Sequence, residues 1–133
     1  MSAALRLLPA KTDVTLLASA SRTAAQTGTT QYNHEGAGVI LTLAVASITA
    51  TPGLTVSMGY SYDGGTTWVI FWTAAAAVTT AVTVNYLIYP GILATADGLY
   101  TESLNAPLPR IWRITVAVAD ADEATYALYG QLL

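Results

Sequence analysis

The chain has 133 residues and a formal net charge of −3, and its composition is 53% hydrophobic but only 10% charged. This length fits one domain of about 100–200 residues and excludes a two-domain enzyme. The charged share is far below the roughly 25% of ordinary globular proteins. Five Lys and Arg against eight Asp and Glu are too few to neutralise a phosphate backbone, so we expect no nucleic-acid partner. Cysteine is absent, which excludes disulfides and cysteine-ligated zinc.

One long uncharged stretch lies between Asp63 and Asp97, and it exceeds the roughly 20 residues of a membrane-spanning helix. Its composition argues against such a helix, because it contains many threonines together with Asn85 and Pro90. Aspartates flank it, in place of the Lys and Arg clusters that orient membrane segments. Alternating Thr and Val favour strands, and we expect no membrane partner.

The N-terminal part of the chain is predicted as an extended arm over residues 1–13, followed by a single domain over residues 14–133. Val14–Ala20 is a candidate strand. Ser21–Gly38 is predicted as a long loop, because it is rich in Ser, Thr, Gln, Asn and Gly. In the next segment large apolar residues occupy alternate positions, which predicts a strand over Val39–Ala46 with one face fully buried.

A hairpin is predicted next, with strands over Leu54–Tyr62 and Thr66–Thr73 and a turn at Asp63-Gly64-Gly65. The apolar face of the first strand consists of Leu54, Val56, Met58, Tyr60 and Tyr62. The second strand carries Trp68, Ile70 and Trp72 on one face and Val69 and Phe71 on the other. We therefore expect both faces of the second strand to pack against other residues.

The last third of the chain alternates strands with turns. Strands are predicted over Val78–Tyr89, Arg110–Ala119 and Ala124–Leu132, separated by a long excursion over Ile92–Pro109 and an acidic turn over Asp120–Glu123. The apolar faces consist of Val82, Val84, Tyr86 and Ile88 in the first of these strands, and of Trp112, Ile114, Val116 and Val118 in the second.

About seven short strands with no amphipathic helix predict an all-β fold, an antiparallel β-sandwich for which a jelly roll is one candidate arrangement. Several strands are apolar on both faces, whereas a free sandwich normally turns polar residues outward. The excess apolar surface predicts a protomer that buries its outer face against its own copies or another protein.

The segment Ser61–Trp68 matches the pattern S-x-D-x-G-x-T-W and so resembles the Asp-box of sialidases and related propellers. The expected physics is that of a hairpin: Asp63 bonds backbone amides across the turn, Gly64 and Gly65 permit positive φ, and Trp68 packs beneath. A propeller needs repeated blades that this chain cannot hold. We interpret the segment as a structural turn, with a glycan-handling remnant as the alternative.

One acidic cluster and one histidine could carry chemistry. Asp120, Asp122 and Glu123 offer oxygen ligands, but their spacing is too short for an EF-hand, and we predict a solvated turn. His34 is the only histidine, so a Ser-His-Asp relay or a multi-histidine metal site would have to be formed around this one residue. We interpret it as a surface or contact residue.

No catalytic, cofactor-binding or metal-binding residue is nominated, and we expect a protein that is not an enzyme and has no cofactor.

Arg110 and Arg113 are two of only five basic residues and lie in an otherwise apolar strand. Arg110 follows Pro109 and is expected to stay solvated. Arg113 is expected to need a carboxylate or carbonyl partner, either within the fold or across an interface.

Several short segments stand out over most of the chain after residue 18. They are Ser19–Thr23 before a polar loop, Tyr32-Asn33 with Gly36 and Gly38 before a long apolar strand, Ile48–Pro52, Tyr89–Gly91, Leu108–Arg113 and Ala124–Tyr126. Together they resemble a group of small structural proteins of tailed bacteriophages, of the capsid decoration or cement type. The segment Ser61–Trp68 departs from that group. The resemblance implies an all-β virion protein and brings no catalytic residues.

The expected function is that of a decoration protein on the outer surface of the assembled phage head. It would bind the major capsid protein and its own copies, as a trimer or, alternatively, a dimer, after assembly in the host cytoplasm. The candidate contact segments are Met1–Ala10, Ser21–Gly38 and Ile92–Pro109. The candidate interface residues are Arg22, Tyr32, His34, Arg110 and Arg113.

Two alternatives remain open at the level of the sequence. The first is a tail or baseplate component built on the same sandwich. The second is a carbohydrate-binding module, in which Trp68, Trp72, Tyr60 or Tyr62 would form a stacking platform. Core packing is the favoured interpretation of these aromatic residues, because they alternate with apolar neighbours.

Overall fold

The computed structural model describes residues 13–33, 36–91 and 100–133. Within these ranges the chain forms β-strands and no helix, which confirms the predicted all-β class. The strands are β1 (Asp13–Arg22), β2 (Gln26–Thr27), β3 (Gln31–Tyr32), β4 (Val39–Ile48), β5 (Leu54–Tyr60), β6 (Val69–Thr73), β7 (Thr83–Ile88), β8 (Glu102–Leu104), β9 (Ile111–Val118) and β10 (Ala124–Leu132). The described ranges contain no helix long and apolar enough to cross a membrane.

The strands form two sheets that pack face to face as a β-sandwich. The first sheet has the order β1-β10-β4-β7-β8, and the second has the order β2-β9-β5-β6, with β3 also paired to β9. Neighbouring strands are antiparallel, except for the parallel pair β7 and β8. The central strand β9 therefore carries β5 on one edge and the two short strands β2 and β3 on the other.

The core lies between the sheets and is built from alternate residues of the long strands, because successive side chains of a strand point to opposite faces. The predicted inward residues of β4 and most of those of β5, β7 and β9 are buried. They include Val39, Leu41, Leu43 and Val45 of β4, Leu54, Val56 and Met58 of β5, Tyr86 and Ile88 of β7, and Trp112, Ile114 and Val116 of β9. The rings of Trp72 and Tyr86 meet edge to face across the two sheets, with centroids 5.3 Å apart.

Three details of the strand prediction are wrong. Tyr62 is 68% exposed, because β5 ends at Tyr60 and the turn begins there. Val82 is 42% exposed, because β7 begins only at Thr83. Ile70 and Trp72 do not share a face, because a register shift between β5 and β6 places Trp72 opposite the buried Met58, whereas Ile70 is 72% exposed.

The two long predicted loops contain short strands. Ser21–Gly38 includes β2 and β3, which pair with β9, and Ile92–Pro109 includes β8, which pairs with β7. These strands have only two or three residues, so they form because a longer strand offers an unpaired edge. Residues 92–99 of the second loop lie outside the described residues, as does the arm apart from Asp13, the first residue of β1.

Candidate functional site

The turn between β5 and β6 is organised by the carboxylate of Asp63. Its Oδ1 accepts hydrogen bonds from the backbone amides of Thr66 and Thr67, at 3.1 and 2.7 Å, and from the hydroxyl of Ser61 at 2.8 Å. These bonds favour the ionised form, led by the amide of Thr67, and they lower the pKa of Asp63 to about 2. The hydroxyl of Ser61 in turn accepts the amide of Gly65 at 2.8 Å. The carboxylate is thus occupied by the turn itself, as predicted for a structural hairpin.

The glycines and the tryptophan of this turn also take their predicted roles. Gly64 and Gly65 have φ values of +81° and +105°, which residues with a side chain rarely adopt. The indole Nε1 of Trp68 donates a hydrogen bond to the carbonyl oxygen of Gly65 at 3.1 Å. Trp68 is thereby held against the turn, half-buried, with one ring face available to the neighbouring strand.

Arg113 covers that ring face. Its guanidinium carbon lies 4.1 Å from the centroid of the Trp68 ring, within the range of a cation–π interaction. Gly59 is the residue of β5 opposite Arg113, and a Cβ at this glycine would lie 3.7 Å from Cε3 of Trp68, so the indole also lies over Gly59. The expected carboxylate or carbonyl partner of Arg113 is therefore replaced, among the described contacts, by the face of an aromatic ring.

Exposed aromatic and apolar residues lie beside this pair in the sequence and in the sheet register. Tyr62 is 68% exposed and Ile70 is 72% exposed. On the other edge of β9, the 58% exposed Tyr32 lies opposite Ile111. The amide of Ser61 donates to the carbonyl oxygen of Ile111, so the turn and β3 flank the same end of β9.

We name this group the hairpin patch and define it as Tyr32, Tyr62, Trp68, Ile70 and Arg113. Tyrosine, tryptophan and arginine are enriched at protein interfaces and at their energetic centres. The patch lies at the end of the second sheet where β9 begins. Two of its members, Tyr32 and Arg113, are predicted interface residues. The sequence places Tyr62 on the apolar face of its strand and Ile70 on a strand face that needs cover, whereas the structure leaves both side chains exposed.

The aromatic residues considered for a glycan platform do not lie together on one open surface. Trp72 packs against Tyr86 in the core, and Tyr60 packs edge to face on Phe71 with centroids 5.9 Å apart. Trp68 is stacked under Arg113 as described above. Of the four candidates, the structure leaves only Tyr62 with a largely exposed ring.

Arg22 serves contacts within the fold. It donates to the carbonyl oxygens of Tyr126, at 2.8 Å, and of Ala18, and its guanidinium lies 4.7 Å from the centre of the Tyr126 ring. Burial raises the pKa of the Tyr126 hydroxyl, and the charge of Arg22 partly opposes this shift. Arg22 therefore fastens β1 to β10, and its donor groups are largely used by its own chain.

Of the two remaining predicted interface residues, the structure describes Arg110 and not His34. The side chain of Arg110 is exposed, as expected, and its carbonyl oxygen accepts the amide of Asn33 at 2.7 Å. This bond joins the start of β9 to the end of β3, beside the hairpin patch. His34 and the contact segment Met1–Ala10 lie outside the described residues.

The acidic residues between β9 and β10 form a turn at the opposite end of the sandwich. Asp120 accepts the amide of Asp122 at 2.9 Å, and Asp122 accepts the amide of Thr51 at 3.3 Å. Glu123 accepts the hydroxyl of Ser21. Within the described ranges no group of three His, Cys, Asp or Glu is placed to hold a metal ion. The carboxylates are engaged in shaping an exposed turn, as predicted.

A shallow depression of about 360 Å³ lies on the outer face of the first sheet, a feature that sequence reasoning missed. It spans β1, β4 and β10, and its lining consists of Asp13, Val14, Thr15, Ile40, Thr42, Tyr129, Gly130 and Gln131. Its only sequence signal is the alternation of β4 and β10, which turns Ile40 and Tyr129 to the same outer face. No buried charged group lies in it, and it is open to solvent.

Comparison with models of known protein families gives no match, and comparison with curated protein sequences gives none either. The hairpin patch is therefore interpreted from its own residues and geometry.

Proposed function

We propose that this protein is a non-enzymatic structural protein of a phage virion, a decoration protein that binds the outer surface of the assembled head. The observation that carries the proposal is the hairpin patch, in which the exposed residues Tyr32, Tyr62 and Ile70 lie at one end of the second sheet with an arginine that is stacked on Trp68. The sandwich fold and the resemblance of the short sequence segments to phage decoration proteins support it further.

The mechanism in this proposal is the burial of apolar surface between the protein and the assembled capsid. A specific interface covers about 800 Å² on each partner, and apolar area removed from water contributes about 25 cal/mol per Å². Decoration adds such area only where the shell is assembled, because only there do neighbouring capsid subunits present one continuous surface. Many weak interfaces repeated over the lattice would then resist the internal pressure of packaged DNA. Self-association, as a trimer or a dimer, would multiply the contacts of each bound unit.

The residue types of the hairpin patch fit this role. Tyr62 and Ile70 offer exposed area that a partner can cover. Arg113 is held in place by Trp68, so its guanidinium loses little freedom when a carboxylate or carbonyl of the partner approaches it. The low charge of the chain reduces the cost of removing its surface from water.

The decisive experiment mixes the purified protein with undecorated heads and images them by electron cryomicroscopy. Saturable density at regular lattice positions is the expected result. Tyr62→Ala is expected to weaken binding about tenfold or more, as an interface anchor does. Tyr129→Ala, which removes an exposed tyrosine from the other sheet, is the matched control and should bind as the wild type does.

Two outcomes would contradict the proposal. Absence of binding to heads at any concentration would refute a decoration role. Labelling confined to the tail would select the tail or baseplate alternative, in which the same patch joins stacked sandwiches.

A further inference from the structure

The depression on the outer face of the first sheet is formed by three adjacent strands, β1, β10 and β4. Val14, Ile40 and Tyr129 supply its apolar surface, and Tyr129 is 42% exposed. Among its lining residues, Asp13 is the one that carries a charge. Its volume of about 360 Å³ exceeds the roughly 150 Å³ of a cavity that holds a benzene molecule, so it has room for more than one leucine side chain.

The chain reaches this depression directly from residues 1–12, which lie outside the described residues. Asp13, the first residue of β1, is itself part of the lining. Residues 1–12 contain three leucines, two of the five basic residues of the chain and none of its eight acidic residues. These side chains are Leu5, Leu7, Leu8, Arg6 and Lys11. An apolar and basic segment therefore precedes a depression whose lining is partly apolar and carries one carboxylate.

The dimensions of the sheet allow residues 1–12 to fold back over the depression. Adjacent strands lie about 4.8 Å apart, so β4 lies about 10 Å from β1, across β10. Residues 9–12 can span up to about 14 Å. The leucines can therefore reach Ile40 and Tyr129 while Asp13 keeps its place in β1.

We propose that the depression is the docking site of residues 1–12 of the same chain, with their leucine side chains covering Ile40 and Tyr129. A segment tethered at the rim of its site meets that site at an effective concentration in the millimolar range, far above that of a free partner. Its basic residues meet the carboxylate of Asp13 and no like charge in the lining. The docking goes beyond the proposed function, because it uses the outer face of the first sheet, whereas the hairpin patch lies on the second.

Limited digestion of the full chain with trypsin tests the docking. Trypsin cleaves after Arg6, and a docked segment is cleaved only while it is released from its site. Protection is measured as the cleavage rate of a synthetic peptide of residues 1–20 divided by that of the protein. The wild type should be protected at least about tenfold, to the same degree at every protein concentration.

Three variants locate the contact. Ile40→Ser removes apolar surface from the depression, and Leu8→Ser, compared with a peptide that carries the same change, removes it from the segment. Both should lose most of the protection, because less apolar area is buried on docking. Leu87→Ser is the matched control, since Leu87 lies opposite Ile40 in the register of β4 and β7 but outside the depression, and it should be protected as the wild type is. Thermal unfolding verifies that each variant remains folded.

A second measurement observes the contact directly by nuclear magnetic resonance. Nuclear Overhauser effects between leucine methyl groups of residues 5–8 and the ring of Tyr129 are the expected result. Cleavage of the wild type at the rate of the peptide would overturn the inference, and so would protection that Ile40→Ser leaves intact. Protection that grows with protein concentration would show that residues 1–12 of a second copy fill the depression, which would also overturn docking within one chain. Head binding enters none of these measurements, so the decoration role stands or falls separately.

Discussion

The hydroxyl of Tyr86 is buried between the sheets without a hydrogen-bond partner among the described residues, and its ring meets Trp72 just behind β6. Replacing Tyr86 with Phe removes the hydroxyl and keeps the ring. A buried polar group without a partner costs about 1–3 kcal/mol, so we expect Tyr86→Phe to be more stable by about 1 kcal/mol at neutral pH. For a chain of this size that gain raises Tm by about 3–5 °C.

The same hydroxyl makes stability depend on alkaline pH. Burial, with a smaller contribution from Glu102, raises the pKa of Tyr86 from its ordinary value of 10 to about 12. The unfolded chain therefore ionises first, so the contribution of this group is present below pH 10 and is lost as pH rises through 12. At pH 11 the loss amounts to about 1.4 kcal/mol in the wild type, and it is absent from Tyr86→Phe.

Urea unfolding at pH 8 and pH 11 measures both effects. The difference in unfolding free energy between Tyr86→Phe and the wild type should grow from about 1 to between about 2 and 3 kcal/mol. Tyr129→Phe removes an exposed hydroxyl and should be neutral at pH 8. A Tyr86→Phe variant that is less stable than the wild type at pH 8, or a difference that does not grow with pH, would refute the reasoning.

Two further predictions concern backbone geometry and acid stability. In Gly38→Ala the new Cβ would lie 2.1 Å from the carbonyl oxygen of Ile88. Overpacking of this kind should lower the free energy of unfolding by at least about 2 kcal/mol, as measured by urea unfolding. A decrease of less than half of that would show that the strand end relaxes freely. Asp63→Asn should lower Tm at pH 5. The pKa of Asp63 is about 2 in the folded protein, against an ordinary 3.8. The higher Tm of the wild type should therefore be fully present above pH 4 and be lost as pH falls through 2. Equal Tm values for the two proteins from pH 2 to pH 5 would contradict that role.

The long strands could be predicted from the sequence, because a strand buried on one face has a period of two that eight to ten residues display clearly. The last strand has the predicted bounds Ala124–Leu132, β4 buries its predicted residues, and β9 buries three of its four. The strands β2, β3 and β8 could not be predicted, because two or three residues are too few to display a period. Their pairing depends on β9 and β7, which are distant in the sequence.

The internal chemistry of the turn could be predicted, and the surface around it could not. Asp63 and Trp68 act within one short segment whose spacing determines their contacts. The contact of Arg113 with Trp68 depends instead on the register that places Arg113 opposite Gly59. The exposure of Ile70 depends on the register shift between β5 and β6, which no local pattern records.

The pairing of β1 with β10 has a practical consequence for engineering. Asp13 lies opposite Gln131, so both ends of the described domain emerge side by side, at the end of the first sheet away from the turn between Asp120 and Glu123. Residues 1–12 could therefore join Leu133 to Asp13 in a circular permutant, with new termini opened in that exposed turn. A cargo peptide fused there would project from the far end of the domain, whereas peptides attached next to Asp13 and Leu133 would lie side by side.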